Sequence, residues 1–388
     1  MTVVPSFTFA KISRADVNKS LKFRKCGECI ALASIFIRSF ALAFQIFYQT
    51  VVILSTPVPL CMENLIINFP KQLREALVIA NGATVSAPTA PIHNILLAGL
   101  GGSGIGGNLV AELIREECKL PFLITKGYET PAFVNANTLV ILSSYSGNTE
   151  ETVTVMEEVI KRGAKVVCIT SGGKVLERAK TAGFDSIVVP GGMPPRSCLG
   201  YSVVQQIAAL TKYGIISDRL MHDLERTATL LESEQTDIRH NASRIAPLMV
   251  GKTPVIYTTD RMEAVAVRFR QQINENSKML CWHHVVPEMN HNELVGWRDE
   301  RNDLAVIYFR NHDDNPRNAA RIELNKEVIE HYSNTLIEVY SKGTSLCEKA
   351  FYFIHLGDFI STDLAALRGV DATEVRVIDM LKGALSKA

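Results

Sequence analysis

The stretch Thr138-Leu-Val-Ile-Leu-Ser143-Ser144-Tyr145-Ser146-Gly147-Asn148-Thr149-Glu150-Glu151-Thr152 runs from an unbroken apolar segment, through a hydroxyl-rich loop, into a helix start. The apolar run is too short for a helix and does not alternate, so it reads as a strand buried on both faces, as in a parallel sheet covered by helices. Thr149 followed by two glutamates is a helix N-terminus, with a capping hydroxyl and an acidic first turn. Three further hydroxyls exceed what a cap requires. They surround a helix end whose free N–H groups and positive dipole favour an anion.

The same strand–loop–helix pattern occurs upstream. Asn94-Ile-Leu-Leu-Ala-Gly99 reads as a buried strand, Gly101-Gly102-Ser103-Gly104-Ile-Gly-Gly107 as a glycine loop, and Leu109 to Glu117 as a helix. Gly99-x-Gly101-x-x-Gly104 is a formal dinucleotide fingerprint. That reading demands an acid at the end of the next strand, where Glu117 comes one helix early and Glu129 falls past the strand. Short apolar runs recur at 121–125, 165–170 and 186–189, with amphipathic stretches at 150–162 and 174–182. A helix at 69–82 precedes them. The turn Pro190-Gly-Gly-Met-Pro-Pro-Arg196 and a helix at 198–213 follow. Strands alternating with helices predict an α/β fold with a parallel sheet.

A polar helical connector at 217–250 leads to a second unit of similar plan. It has strands at 254–259 and 304–309 and helices at 261–278, about 346–365 and 374–386. The expected organisation is a first α/β domain at 62–216, the connector, and a second domain at 251–388. Among 388 residues 47% are hydrophobic and 21% charged, an ordinary globular composition that suits two domains. The net charge of +1 gives no basic surface for nucleic acid. Eight cysteines are mostly scattered, and only Cys26 and Cys29 form a CxxC pair with no second pair to complete a zinc set. Reduced thiols and a cytoplasmic location are the expectation.

Residues 1–61 differ from the rest. They carry seven Lys/Arg against Asp16 and Glu28, a net of +5, and an apolar run from Ile30 to Leu60 broken by Arg38, Gln45 and Gln49. A membrane span needs roughly 20 apolar residues, and this run is poorly formed for one. The preferred reading is an atypical leader outside the native protein, which would start at Met62. The alternative is a targeting segment or anchor. No membrane association is expected for 62–388.

The Ser144-Tyr145-Ser146-Gly147-Asn148-Thr149-Glu150-Glu151 loop, with the glycine–serine loop at 101–107, resembles the signature of the sugar isomerase (SIS) domain. Over essentially all of 62–388 the chain resembles the bifunctional phosphoglucose/phosphomannose isomerases. The resemblance implies two flavodoxin-like domains in tandem, each a parallel five-stranded sheet with flanking helices. It implies a phosphate site at Gly102, Ser103, Ser144, Ser146 and Thr149, no metal and no cofactor. The implied activity is isomerisation of glucose 6-phosphate and mannose 6-phosphate to fructose 6-phosphate through a cis-enediol(ate).

Such chemistry needs a base, a ring-opening group and a cation for the developing oxyanion. Arg270-Gln-Gln-Ile-Asn274-Glu275-Asn276-Ser277-Lys278, Pro287-Glu-Met-Asn290-His291-Asn292-Glu293 and Asp379-Met-Leu-Lys382 supply these residue types. By resemblance Glu275 is the base, His291 opens the ring, Lys382 assists at the hydroxyl end and Arg196 stabilises the enediolate. The same resemblance implies that Thr373 makes room at C2. A homodimer is also implied, with His291 reaching into the neighbouring site. Taken alone, Glu275 reads equally as a solvated helix-end carboxylate, His291 as a turn residue and Lys382 as surface charge. His283-His284 and His291-x-Glu293 lack the spacing of a zinc set. Two other readings keep the serine loops: a non-catalytic sugar-phosphate regulator and an amino-sugar-phosphate isomerase.

Overall fold

The computed structural model describes residues 61–385 and 387, so the leader expectation for residues 1–60 lies outside the described residues. Two short helices, α1 (Met62–Ile67) and α2 (Phe69–Gly82), lead into β1 (Asn94–Ala98), α3 (Gly101–Ile114), β2 (Phe122–Thr125) and β3 (Thr138–Ser143). Then come α4 (Glu150–Lys161), β4 (Lys165–Thr170), α5 (Gly173–Ala182), β5 (Asp185–Val188), a 3-10 turn (Pro195–Ser197) and α6 (Leu199–Lys212). The five strands form one parallel sheet in the order β2-β1-β3-β4-β5. β3 is buried at all six positions, which is why its sequence does not alternate.

Helix α7 (Arg219–Met249), 31 residues long, occupies the expected connector. Beyond it lie β6 (Thr253–Thr259), α8 (Glu263–Glu275), β7 (Trp282–Val286), β8 (Leu304–Arg310), α9 (Pro316–Ile329), β9 (Leu336–Tyr340), α10 (Leu346–Leu367) and α11 (Arg376–Leu385). The second sheet is also parallel but has four strands, β7-β6-β8-β9, rather than the expected five. The chain after Tyr340 is taken up by α10 and α11, so no apolar run remains for a fifth strand. α10 is buried along most of its length against α7 and α8, with Phe353 stacked on Phe309 at a centroid distance of 4.5 Å. Each such side chain contributes roughly 1.5–3 kcal/mol by leaving water. No helix among the described residues is long and apolar enough to cross a membrane.

One boundary departs from expectation in a way that matters for the site. The glycine loop is not a loop ahead of a helix; α3 begins at Gly101 itself. A Cβ on Gly102 would lie 2.9 Å from the Pro195 carbonyl oxygen, so the missing side chain lets this helix end press against the 195–197 turn.

Candidate active site

β1 and β3 are adjacent and in register, with Ala98 beside Leu142, so the segments that follow them emerge side by side at the carboxyl edge of the sheet. This is the point where strand order reverses, the usual ligand crevice of open α/β sheets. On the β3 side, Ser144 is buried and its Oγ lies 2.9 Å from Thr149 Oγ1. Thr149 holds the N-cap position of α4, as expected, but its side chain makes no capping bond because it is turned to Ser144. Ser146 is exposed, and its Oγ accepts from the Asn148 N–H at 3.2 Å. On the β1 side, Ser103 is buried and its carbonyl accepts from Gln206 Nε2 at 3.2 Å.

The serine loop keeps its shape through Gly147. Its φ of +67° is in the left-handed region, and a Cβ there would stand 1.7 Å from the Gly172 carbonyl oxygen. Gly147→Ala therefore combines backbone strain with a backbone clash. The expected cost is about 2–4 kcal/mol, measured by urea unfolding.

Arg196 is the hub of the second half of the site. Its side chain is only 4% exposed. Nε donates to Asn276 Oδ1 at 2.7 Å, and Nη2 donates to the carbonyls of Ala372 at 2.7 Å and Thr373 at 2.8 Å. Nη1 faces Glu275 Oε2 at 3.5 Å. Five N–H donors thus divide into three that fix the guanidinium and two left on Nη1, directed to the side where Glu275 stands. Burial pushes the Arg196 pKa down from its usual value, and the Glu275 carboxylate opposes that shift. Glu275 ends α8 with its side chain about one-third exposed, at 31%. The Lys278 ammonium donates to the Glu275 carbonyl oxygen at 2.5 Å and sits 4.0 Å from Glu374.

The structure thus gathers Arg196, Glu275 and Thr373 from three distant segments. It sets them next to Gly102, whose added Cβ would be 4.0 Å from Arg196 Cα. It does not bring in the other two expected residues. His291 is exposed at the end of the 3-10 turn Glu288–His291, and Lys382 is exposed on α11; among the described residues neither side chain pairs with the Arg196–Glu275 group. Sequence reading missed Asn276 and Lys278 as site-builders although both lie in the Asn274–Lys278 run. It also missed Arg268 and Asp358, which carry no local signal. At the tip of β2, where a dinucleotide site needs an acid, stands Lys126, bonded to Asn108 Oδ1 at 2.5 Å.

Two parallel sheets with flanking helices, the first carrying a glycine and a serine loop side by side at its strand-order reversal, define a doubly wound α/β protein with an anion-binding crevice. The SIS domain family model matches residues 90–211, and the model described as the bacterial phospho-glucose isomerase C-terminal SIS domain matches residues 238–385. The chain belongs to the bifunctional phosphoglucose/phosphomannose isomerase family. It is 36% identical to the enzyme of that name from Caldicellulosiruptor bescii, over 84% of this chain and 99% of that one. It is 35% identical to the one from Aquifex aeolicus, over 78% and 93%. A hypothetical protein from Thermus thermophilus shares the fold with a TM-score of 0.67 at 15% identity, over 91% of this chain and 96% of that one.

Proposed function

We propose that the protein interconverts glucose 6-phosphate, and also mannose 6-phosphate, with fructose 6-phosphate through a cis-enediol(ate). The observation that carries the mechanism is the pairing of Glu275 with the free edge of Arg196, beside the glycine and serine loops. With the phosphate held by Gly102, Ser103, Ser144, Ser146 and Thr149, the far end of an open-chain sugar would reach Glu275. The carboxylate takes the C2 proton of the aldose and returns it to C1, while Nη1 of Arg196 meets the negative charge growing on oxygen. Glucose and mannose 6-phosphates differ only at C2 and give the same enediol, so a site tolerant at C2, near Thr373, serves both.

His291 as ring-opening group and Lys382 as helper at the hydroxyl end belong to this reading. So does a cytoplasmic homodimer in which His291 crosses to the neighbour's site, since its side chain stands apart from Glu275 within one chain. The domains in this reading are 62–216 and 251–388, joined by 217–250.

The test uses enzyme dialysed against a chelator and assayed in D2O. Both aldose phosphates are expected to yield fructose 6-phosphate carrying solvent deuterium at C1, because a proton on a carboxylate exchanges with solvent. No deuterium uptake even after many turnovers at equilibrium would point to a hydride shift and sink the enediol mechanism. Turnover of neither sugar would favour the regulator or the amino-sugar-phosphate reading.

A further inference from the structure

Arg268 lies seven residues before Glu275 on α8, two helical turns back on the same face. Its side chain is 3% exposed, and its Nη2 lies 3.2 and 3.3 Å from the two carboxylate oxygens of Asp358 on α10, which is 6% exposed. The same nitrogen donates to the main-chain carbonyl of Arg196 at 2.6 Å. Among the described residues Arg268 Nε has no acceptor.

Such a pair is a poor way to stabilise a core. Removing two charges from water costs more than their attraction commonly returns, and apolar residues of similar volume in the same place are often neutral or stabilising. Burial pushes the Asp358 carboxyl pKa up, and Arg268 opposes it. An apolar pair, however, cannot hold a carbonyl. The ion pair grips the backbone of Arg196 from α8, while Asn276, just beyond the end of α8, grips its side chain. Asn276 is in turn anchored by donating from Nδ2 to Ser361 Oγ on α10 at 2.9 Å. These two attachments of Arg196, unlike those of Nη2 to the Ala372 and Thr373 carbonyls, run to the helix that ends in Glu275 and to the residue just beyond it.

We propose that Arg268 and Asp358 are positioning residues for the isomerase reaction: a buried ion pair, dispensable for folding, that fixes the Pro194–Arg196 turn so that the guanidinium meets Glu275 in the productive geometry. This rests on the function proposed above. A misplacement of about 1 Å at a reacting group is enough to cost on the order of 10²-fold in rate.

The experiment is the double replacement Arg268→Met/Asp358→Leu, compared with wild type by melting, by steady-state kinetics on glucose 6-phosphate and by amide hydrogen exchange. The expected variant melts within about 5 °C of wild type or higher. Its kcat falls on the order of 10²-fold while KM changes less than about threefold, because among the described residues the serine loop at 143–149 makes no hydrogen bond or ion pair with Arg268 or Asp358. Amides of residues 194–198 exchange faster, whereas those of 143–149 do not. Arg268→Lys, which keeps a charge for Asp358 but loses the planar fork, is expected to regain part of the rate. A double variant that fails to fold, or one with kcat within twofold of wild type, overturns the proposal. Unchanged exchange at 194–198 overturns it as well. The exchange reading does not depend on turnover, so a wild type that isomerises neither sugar would refute the proposed function and still leave the strut decided.

Discussion

Glu275→Gln is expected to lower kcat for both aldose phosphates by about 10²–10⁴-fold, the range over which a positioned general base contributes. KM should stay within about threefold, since the amide keeps the size and the hydrogen-bonding oxygen of the carboxylate and the phosphate loops lie elsewhere. Glu275 is not buried in a network of its own; its side chain is 31% exposed and its charged neighbour is Arg196 Nη1 at 3.5 Å. The amide oxygen of the glutamine still offers Arg196 Nη1 an acceptor, but the buried guanidinium loses its nearest counter-charge, so a modest loss of stability should accompany the loss of rate. The check is steady-state kinetics together with deuterium wash-in. If Glu275 carries the proton, isomerisation and exchange into fructose 6-phosphate fall by the same factor. Exchange continuing at the wild-type rate would assign the base elsewhere.

How much of this was legible in the sequence follows from which features are local. The serine loop was, because Gly147, Thr149 and the two glutamates act on their own neighbours: a turn, a cap position, a helix start. Even there Thr149 proved to bond Ser144 rather than the helix, since a hydroxyl at an N-cap has two possible partners and only packing decides between them. The first sheet was legible because strands buried on both faces leave unbroken apolar runs. β7, with two histidines in Trp282–Val286, and β9, with a glutamate in Leu336–Tyr340, lack such runs and went unnamed as strands. The five-stranded expectation for the second sheet came from resemblance, and among the described residues that sheet has four strands.

The candidate site divides the same way. Nothing in the residues around Arg196, Glu275 or Thr373 says that they meet; Arg196 lies 79 positions from Glu275 and 177 from Thr373. Family resemblance nominated them, and the structure brings them together. His291 and Lys382 were nominated on the same grounds, and their side chains stand apart in the solvent. The buried Arg268–Asp358 pair could not be read at all, because a charged residue in an amphipathic helix looks like surface until the opposing helix is in view.

Arg196 is where the second large effect is expected, and it is a double one. On the proposed mechanism Arg196→Met removes the cation that would face the growing oxyanion, and loss of one such group typically costs about 10²–10³-fold in kcat. The loss should appear in kcat more than in KM, because the negative charge exists only on the way to the enediolate. It also strands acceptors: Asn276 Oδ1, in a fully buried side chain, and the carbonyls of Ala372 and Thr373. A buried acceptor left unpaired costs about 1–3 kcal/mol; that applies to Asn276 Oδ1, whereas the half-buried Ala372 and Thr373 carbonyls can turn to water, so the variant should be measurably but moderately less stable in urea. Arg196→Lys separates the two effects. An ammonium on a flexible stem restores the charge but cannot point three ways at once. If the fork's work is to hold the Ala372–Thr373 segment, the lysine variant remains destabilised and its ratio of mannose to glucose 6-phosphate turnover changes, because Thr373 is then free to shift at C2. If lysine restored stability and left that ratio at the wild-type value, charge alone would be the role of Arg196, and the place given to Thr373 would have to be abandoned.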